Sequence, residues 1–232
     1  MHKTINYFGA FLFGPIDWLN HFEKTSRYLS NEEKNFIRRR ARKSRVDRFF
    51  PVIQKMSEDI VGINTDKITK DIIVDFVIAV KIIDDYIDQK ENDIHVMYKI
   101  FEEDQKDIHP RLKTVKRWLG SIQDFIGDKY EVFERSIPRG VEAVKYEMNV
   151  ETKEDALKAT KKSGELIMEF IADLIEIYSG ESVKSEEREG LKAIGFMANL
   201  LDDIADMKED YGVRKTYPIL MYEEFKQTYT NR

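Results

Sequence analysis

The chain has 232 residues, of which 42% are hydrophobic, so it is long enough to bury the core of one large domain or of two small ones. Its formal net charge of −5 argues against a general nucleic-acid binder. It contains no cysteine, which excludes a disulfide framework and a thiolate metal site and fits a cytoplasmic location.

An apolar segment lies near the start of the chain, between Tyr7 and Pro15. It is too short to span a bilayer, and it lacks a basic start followed by a small-residue cleavage site. We therefore predict neither a transmembrane segment nor a signal peptide. We expect the segment to cap the core, and peripheral contact with a membrane surface stays open as the alternative.

The next element is a basic segment, which we predict to be one helix from Asn31 to Met56 with Ser30 or Asn31 as its N-cap. Its arginines, concentrated in residues 38–48, are either a solvated face neutralised by acidic neighbours or a group that holds a diphosphate. Guanidinium groups bind phosphate oxygens in bidentate fashion, and Arg45 is the candidate that we single out.

The next helix is expected to open at Thr65 or Asp66. It is apolar nearly all round from Ile68 to Ile83, which is typical of a buried helix, and Lys81 interrupts the apolar run. A buried lysine needs a partner, either a neighbouring carboxylate or a substrate oxygen. The run ends in three aspartates, Asp84, Asp85 and Asp88.

The remaining elements are also predicted to be helical. A loop is expected at residues 102–110, and helices follow at 112–126, 129–149 with an interruption near Pro138, 151–178, from Ser185 onward, and 219–229. No strand-like alternation persists and no linker separates the helices. We therefore predict one all-α domain over residues 1–232, an antiparallel helical bundle.

A second acidic cluster lies between Gly195 and Tyr217. Asp202, Asp206 and Asp210 recur every fourth residue, and Asn199 lies one turn before Asp203. Magnesium suits such a set of oxygen ligands, whereas the alternative is a solvated acidic stripe. Because the residues before Asp202 are apolar, we expect the cluster at the rim of a buried helix.

Two apolar segments that each end in aspartates at helical spacing predict two helices facing across one cavity. Carboxylates from both helices would clamp metal ions that bridge a single diphosphate. Such a clamp stabilises negative charge as it develops on a leaving oxygen, which is Lewis-acid catalysis.

These motifs resemble those of the trans-isoprenoid synthase superfamily, which includes polyprenyl diphosphate synthases, squalene/phytoene synthases and class I terpene synthases. The first motif resembles squalene/phytoene synthases. Three later segments resemble the K-T-G-x-L, G-x-x-x-Q-x-x-D-D-x-x-D and K-x-T-x-P segments of polyprenyl synthases: Lys162-Ser163-Gly164-x-Leu166, Gly195-x-x-x-Asn199-x-x-Asp202-Asp203-x-x-Asp206 and Lys215-Thr216-Tyr217-Pro218. The resemblance covers Ile72 to Leu220.

The resemblance implies an isoprenoid synthase fold around a central cavity that binds three magnesium ions with the diphosphate of a prenyl substrate. The implied metal ligands are Asp84, Asp85, Asp88, Asn199, Asp202, Asp203, Asp206 and Asp210. The groups expected to contact the diphosphate are Lys162, Lys215, Lys81 and Arg45. Catalysis would depend on Asp84, Asp88, Asp202, Asp206 and Lys162, and a homodimer is compatible with the family.

The sequence departs from polyprenyl synthases in two places. It has Gln89-Lys90-Glu91-Asn92-Asp93 where those enzymes have R-R-G, and it lacks their N-terminal G-G-K-x-R segment. We expect a magnesium-dependent prenyltransferase that joins an allylic cation to a second prenyl substrate. The alternatives are a class I terpene cyclase that acts on one prenyl diphosphate and a non-catalytic subunit of a prenyl synthase.

Overall fold

The structure is a computed structural model that describes residues 2–64, 66–89, 109–212 and 214–230. The expected loop at 102–110 lies outside this description except for its last two residues, and so do the side chains of Asp84, Asp85 and Asp88.

No strand occurs in the described ranges, which confirms the all-α fold class. The helices are α1 His2–Thr25, α2 Asn31–Ser44, α3 Val46–Val61, α4 Lys67–Gln89, α5 Pro110–Ile126, a 3₁₀ turn Gly127–Tyr130, α6 Glu131–Met148, α7 Lys153–Ser179, α8 Ser185–Ala205, α9 Met207–Asp210 and α10 Tyr217–Thr230.

Contacts divide the chain into two compact units. The first comprises Met1–Glu131 and Leu174–Ser182, and the second comprises Val132–Asp173 and Val183–Arg232. The single domain expected from the sequence stays a prediction, as does a bundle around a central cavity.

The basic segment of the first unit forms two helices, so the prediction of one helix from Asn31 to Met56 was wrong. Ser30 is the N-cap of α2, and it exchanges hydrogen bonds with Glu33 in a capping box. Arg45 ends α2 with a φ of 55°, a left-handed conformation that a residue with a Cβ adopts at an energetic cost. The chain then restarts as α3.

The core of the first unit is built around two tryptophans. Trp18 and Phe22 of α1 pack with ring centroids 5.1 Å apart, and Phe22 meets Trp118 of α5 edge to face at 5.3 Å. Ile72 and Ile78 of α4 are fully buried. The apolar stretch of α4 therefore faces the core, as the sequence predicts.

A carboxylate lies inside this core. Asp75 of α4 has no exposed surface, and it accepts hydrogen bonds of 2.7 Å from the Trp18 indole Nε1 and the Thr25 hydroxyl. The His21 Nε2 lies 3.3 Å from the same Asp75 oxygen that Thr25 contacts. A buried carboxylate is tolerated when donors surround it in this way.

The second unit is centred on an antiparallel pair formed by residues 153–173 of α7 and by α8. Ion pairs mark the pairing, Asp173 with Arg188 at 2.9 Å and Glu169 with Lys192 at 3.0 Å. A small cluster of Val150, Ala156 and Ala159 packs at one end, with Tyr217 of α10 against it.

Helix α6 runs through Pro138 without a break, so the expected interruption there was wrong. Proline removes one backbone donor and deprives the carbonyl four residues earlier of its partner. Pro138 and Glu134 are both exposed, so water can satisfy that carbonyl.

Candidate functional site

The second acidic motif and the Lys162-Ser163-Gly164 segment meet where α7 crosses α8. Gly164 and Gly195 are both buried at this crossing, and a Cβ on Gly164 would lie 2.2 Å from the carbonyl oxygen of Gly195. Glycine is required at both positions because the two backbones touch. We call this contact, made by Thr160, Gly164, Gly195, Asn199 and Asp203, the α7–α8 joint.

Side-chain hydrogen bonds extend the joint by one turn. The Asn199 side-chain amide donates to the Thr160 carbonyl oxygen at 3.0 Å, and the Thr160 hydroxyl donates to Asp203 at 2.7 Å. Two residues of the acidic motif thus fasten α8 to α7. Sequence reasoning missed Thr160, although it lies four residues before Gly164 and therefore on the same face of α7.

Asp203 lies in an environment that disfavours its charge. The pKa of its carboxyl is raised to about 6, mainly by burial and also by the nearby charges of Asp202 and Asp210, although the Thr160 hydrogen bond and Arg214 act to lower it. A cation near these three carboxylates would be attracted. Sequence reasoning also missed Arg214, which is a positive group already close to the cluster.

The aspartates at four-residue spacing keep that spacing in the structure. The Asp206 amide donates to the Asp202 carbonyl oxygen and the Asp210 amide to the Asp206 carbonyl oxygen, each at 2.9 Å. Asp206 caps α8, so the three residues span the end of α8 and the short α9. Asp202 is exposed, and Asp206 and Asp210 are half-buried.

The helix that carries this motif is less buried than the sequence suggested. Leu191 and Gly195 are buried, but Met197, Leu201 and Ile204 are 52%, 60% and 52% exposed. These three apolar residues recur at intervals of four and three residues and share one face of α8. The expectation of a buried helix was therefore wrong for that face.

The lysines expected at the diphosphate are exposed. Lys162 is two residues from both Thr160 and Gly164, so it points away from the joint, and its Nζ lies 5.6 Å from the centroid of the Tyr146 ring. Lys215 is exposed in the segment before α10. Their contact with a substrate stays a prediction.

For the first motif the structure describes the backbone but not the aspartate side chains. The backbone of Asp84, Asp85 and Asp88 is helical within α4, while their side chains lie outside the described residues. Lys81 is half-buried, whereas the apolar run around it suggested a buried lysine. Arg45 forms the exposed corner between α2 and α3, and nothing in its own unit identifies it as a substrate contact.

Magnesium suits the chemistry of the acidic motif, because Asp202, Asp206 and Asp210 offer hard carboxylate oxygens. The charges of Asp202 and Asp210 also raise the pKa of the neighbouring Asp203 carboxyl. Among the side chains that the structure describes, no group of three or more histidines, cysteines, aspartates or glutamates is placed to hold a metal ion. The side chains of Asp84, Asp85 and Asp88 in the first motif are outside the described residues. The two-cluster metal site therefore stays a prediction.

Comparisons with protein-family models, with curated proteins and with solved structures found no match to this chain. Within its described helices, none is both long enough and apolar enough to cross a membrane.

Proposed function

We propose that the chain is a magnesium-dependent prenyltransferase with an isoprenoid synthase fold, which ionises an allylic prenyl diphosphate and joins the cation to a second prenyl substrate. The observation that carries the proposal is the α7–α8 joint. It brings the Lys162-Ser163-Gly164 segment against the Gly195-to-Asp206 segment at Gly164 and Gly195, and these two segments resemble two separate motifs of one superfamily.

In this proposal the metal ligands are Asp84, Asp88, Asp202 and Asp206, with Asp85, Asn199, Asp203 and Asp210 around them. Magnesium, when bound, supplies Lewis-acid neutralisation of the diphosphate charge. Asn199 and Asp203 are held by Thr160, so they position the end of α8. Asn199 and Asp203 would therefore orient the carboxylates of Asp202 and Asp206 by holding this end of α8 against α7.

Lys162 and Lys215 would stabilise the departing diphosphate. Positive groups fixed near a developing negative charge lower the barrier to ionisation, because that charge is larger in the transition state than in the ground state. No side chain needs to act as a nucleophile, since the attacking group is the alkene of the second substrate. The new carbon–carbon bond then forms, and loss of a proton completes the product.

A second candidate is a non-catalytic helical subunit of a prenyl synthase. The joint favours this candidate, because the side chains of Asn199 and Asp203 form hydrogen bonds that hold two helices together. A cyclase, the third candidate, rests on the Gln89-Lys90-Glu91 sequence that replaces R-R-G.

One experiment separates these functions. The purified chain is given farnesyl diphosphate and magnesium, with and without isopentenyl diphosphate, and the products are identified by mass spectrometry. A longer prenyl diphosphate that needs isopentenyl diphosphate supports chain elongation, and a C30 hydrocarbon or its diphosphate precursor supports head-to-head joining. A cyclic hydrocarbon from farnesyl diphosphate alone supports the cyclase. If farnesyl diphosphate is not consumed, the prenyltransferase proposal fails and the subunit is favoured.

A further inference from the structure

A charged cleft lies on α2, in the first unit and on a segment that the proposed reaction does not use. Its volume is about 600 Å³, and the described side chains that line it come from successive turns of one helix: Glu32, Asn35, Arg38, Arg39 and Arg42. Residues three and four apart share a helix face, so this lining is one continuous strip.

Two of the three arginines are held in defined positions. Arg38 pairs with Glu23 of α1, and its Nη1 donates to the Asn35 side-chain oxygen at 3.3 Å. Arg39 donates from its Nε to the Asn35 carbonyl oxygen at 3.3 Å. The guanidinium groups are therefore oriented by the helix that carries them.

Arg42 adds a third positive charge, three residues after Arg39 and four after Arg38. It is exposed, and its charge, together with that of Arg48, acts to lower the pKa of Asp47, which burial raises. Like charges at these spacings repel one another along the helix. Glu23 and Glu32 supply two negative charges against the three arginines, and Glu23 is shared with Lys34, so the strip keeps an excess of positive charge.

We infer that this cleft is a phosphate-binding site. Three guanidinium forks supply more donors than one carboxylate can accept, whereas a phosphate or diphosphate has enough oxygens to accept bidentate bonds from several forks. Glu32 lies ten residues before Arg42, or roughly 15 Å along the helix axis. The anion is therefore bound at the Arg38–Arg42 end, away from that carboxylate.

The test is equilibrium binding of inorganic pyrophosphate to the full chain, measured by calorimetry without divalent cation at low ionic strength. We expect the double variant R39Q/R42Q to bind at least tenfold more weakly than the unaltered chain. The matched control is K113Q/K158Q, which removes two positive charges from exposed lysines outside the cleft and keeps the affinity. All four residues are exposed, so circular dichroism is expected to show the same helix content in both variants.

Equal weakening in both double variants, or no binding by the unaltered chain, would overturn the inference. A variant at the proposed reaction site, K162Q/K215Q, separates this site from the other one: it keeps the cleft affinity even if turnover is lost. The inference is overturned as well if K162Q/K215Q alone abolishes pyrophosphate binding.

Two sources of phosphate are distinguished by co-sedimentation with vesicles. Phosphatidylcholine vesicles with and without phosphatidic acid are compared for the unaltered chain and for R39Q/R42Q. Binding that needs phosphatidic acid and both arginines identifies a lipid headgroup, and binding of pyrophosphate without vesicle binding identifies a soluble ligand. Either result supports the site.

Discussion

Gly164 and Gly195 lie backbone against backbone, so that a Cβ built on Gly195 would be 2.1 Å from the carbonyl oxygen of Gly164. The Met168 side chain also lies close, but the nearest atom belongs to the main chain of Gly164, which cannot rotate out of the way as a flexible side chain can. The separation of α7 and α8 is therefore set by the absence of two side chains. The hydrogen bonds from Asn199 and Thr160 depend on that separation.

We expect Gly164→Ala to lower the free energy of unfolding of the second unit by about 2–3 kcal/mol, because the helices must move apart to admit a methyl group. Chemical denaturation followed by circular dichroism measures the change. The matched control is Gly140→Ala in α6, where no described atom lies within 4 Å of the added Cβ. There alanine is expected to stabilise the helix by up to about 1 kcal/mol. Equal effects of the two substitutions would show that the joint is not tight.

Asp203 predicts a specific pH dependence of stability. Its pKa is raised to about 6 in the folded chain from 3.8, so the folded state holds this proton more tightly than the unfolded state does. Well below pH 4 the carboxyl is protonated in both the folded and the unfolded state, so its ionisation does not lower the free energy of unfolding there. As pH rises to 6 the unfolded state ionises first, and folding stability is lost across that window.

The substitution Asp203→Asn is expected to abolish this loss and to raise stability at pH 7 by about 1–2 kcal/mol, with allowance for the solvent that reaches the side chain. Denaturation of both chains at pH 4, 5, 6 and 7 in the presence of a chelator gives the difference. Glu186→Gln, an exposed change in the first turn of α8, is the control and leaves the profile unchanged. A difference between Asp203→Asn and the unaltered chain that does not vary with pH would contradict the assignment.

Local signals in the sequence predicted most helix ends. Ser30 and Glu33 form a capping box that depends on residues three apart, and Gly180 ends α7 with a φ of 74° that glycine adopts at little cost. No local sequence signal marked Arg45 as the end of a helix. A left-handed arginine is strained, and only the packing of α2 and α3 against other helices makes the break favourable.

The candidate site was predictable only in part, because some of its contacts depend on how two helices pack. Periodicity alone places Asp202, Asp206 and Asp210 on one stripe, but it cannot say which residues of α7 lie against α8. That depends on the register of the pair, which Gly164 and Gly195 set. The exposure of Met197 and Leu201 was missed because apolar residues before a motif are usually buried.

Asp75 is another group whose role depends on contacts distant in sequence. It accepts hydrogen bonds from Trp18 and Thr25, which are 57 and 50 residues away. We expect Asp75→Ala to cost about 3–5 kcal/mol of stability, because it leaves two buried donors without an acceptor and opens a cavity. Thermal and chemical denaturation of the first unit's helices measure this cost.

The control for that prediction is Asp124→Ala. Asp124 lies 3.8 Å from Arg27 in an ion pair whose side chains are 56% and 57% exposed, and pairs of this kind contribute about 0–1 kcal/mol. The same change of residue type in the same unit thus gives a small effect. If the two variants lose equal stability, the buried network contributes no more than a surface ion pair.

The last prediction concerns the acidic motifs in the proposed reaction. Asp84→Asn and Asp202→Asn each remove one carboxylate charge with almost no change in shape, so the helices persist while the grip on the diphosphate weakens. We expect release of diphosphate from farnesyl diphosphate to fall by at least 100-fold, about 3 kcal/mol of transition-state stabilisation. A coupled assay for pyrophosphate measures the release, and circular dichroism verifies the helix content. The control is Asp173→Asn, which removes a carboxylate of α7 that lies outside the motif and pairs with Arg188 of α8, and it is expected to keep turnover. Unchanged turnover in Asp202→Asn would refute the role of the second motif, and unchanged turnover in Asp84→Asn would refute that of the first.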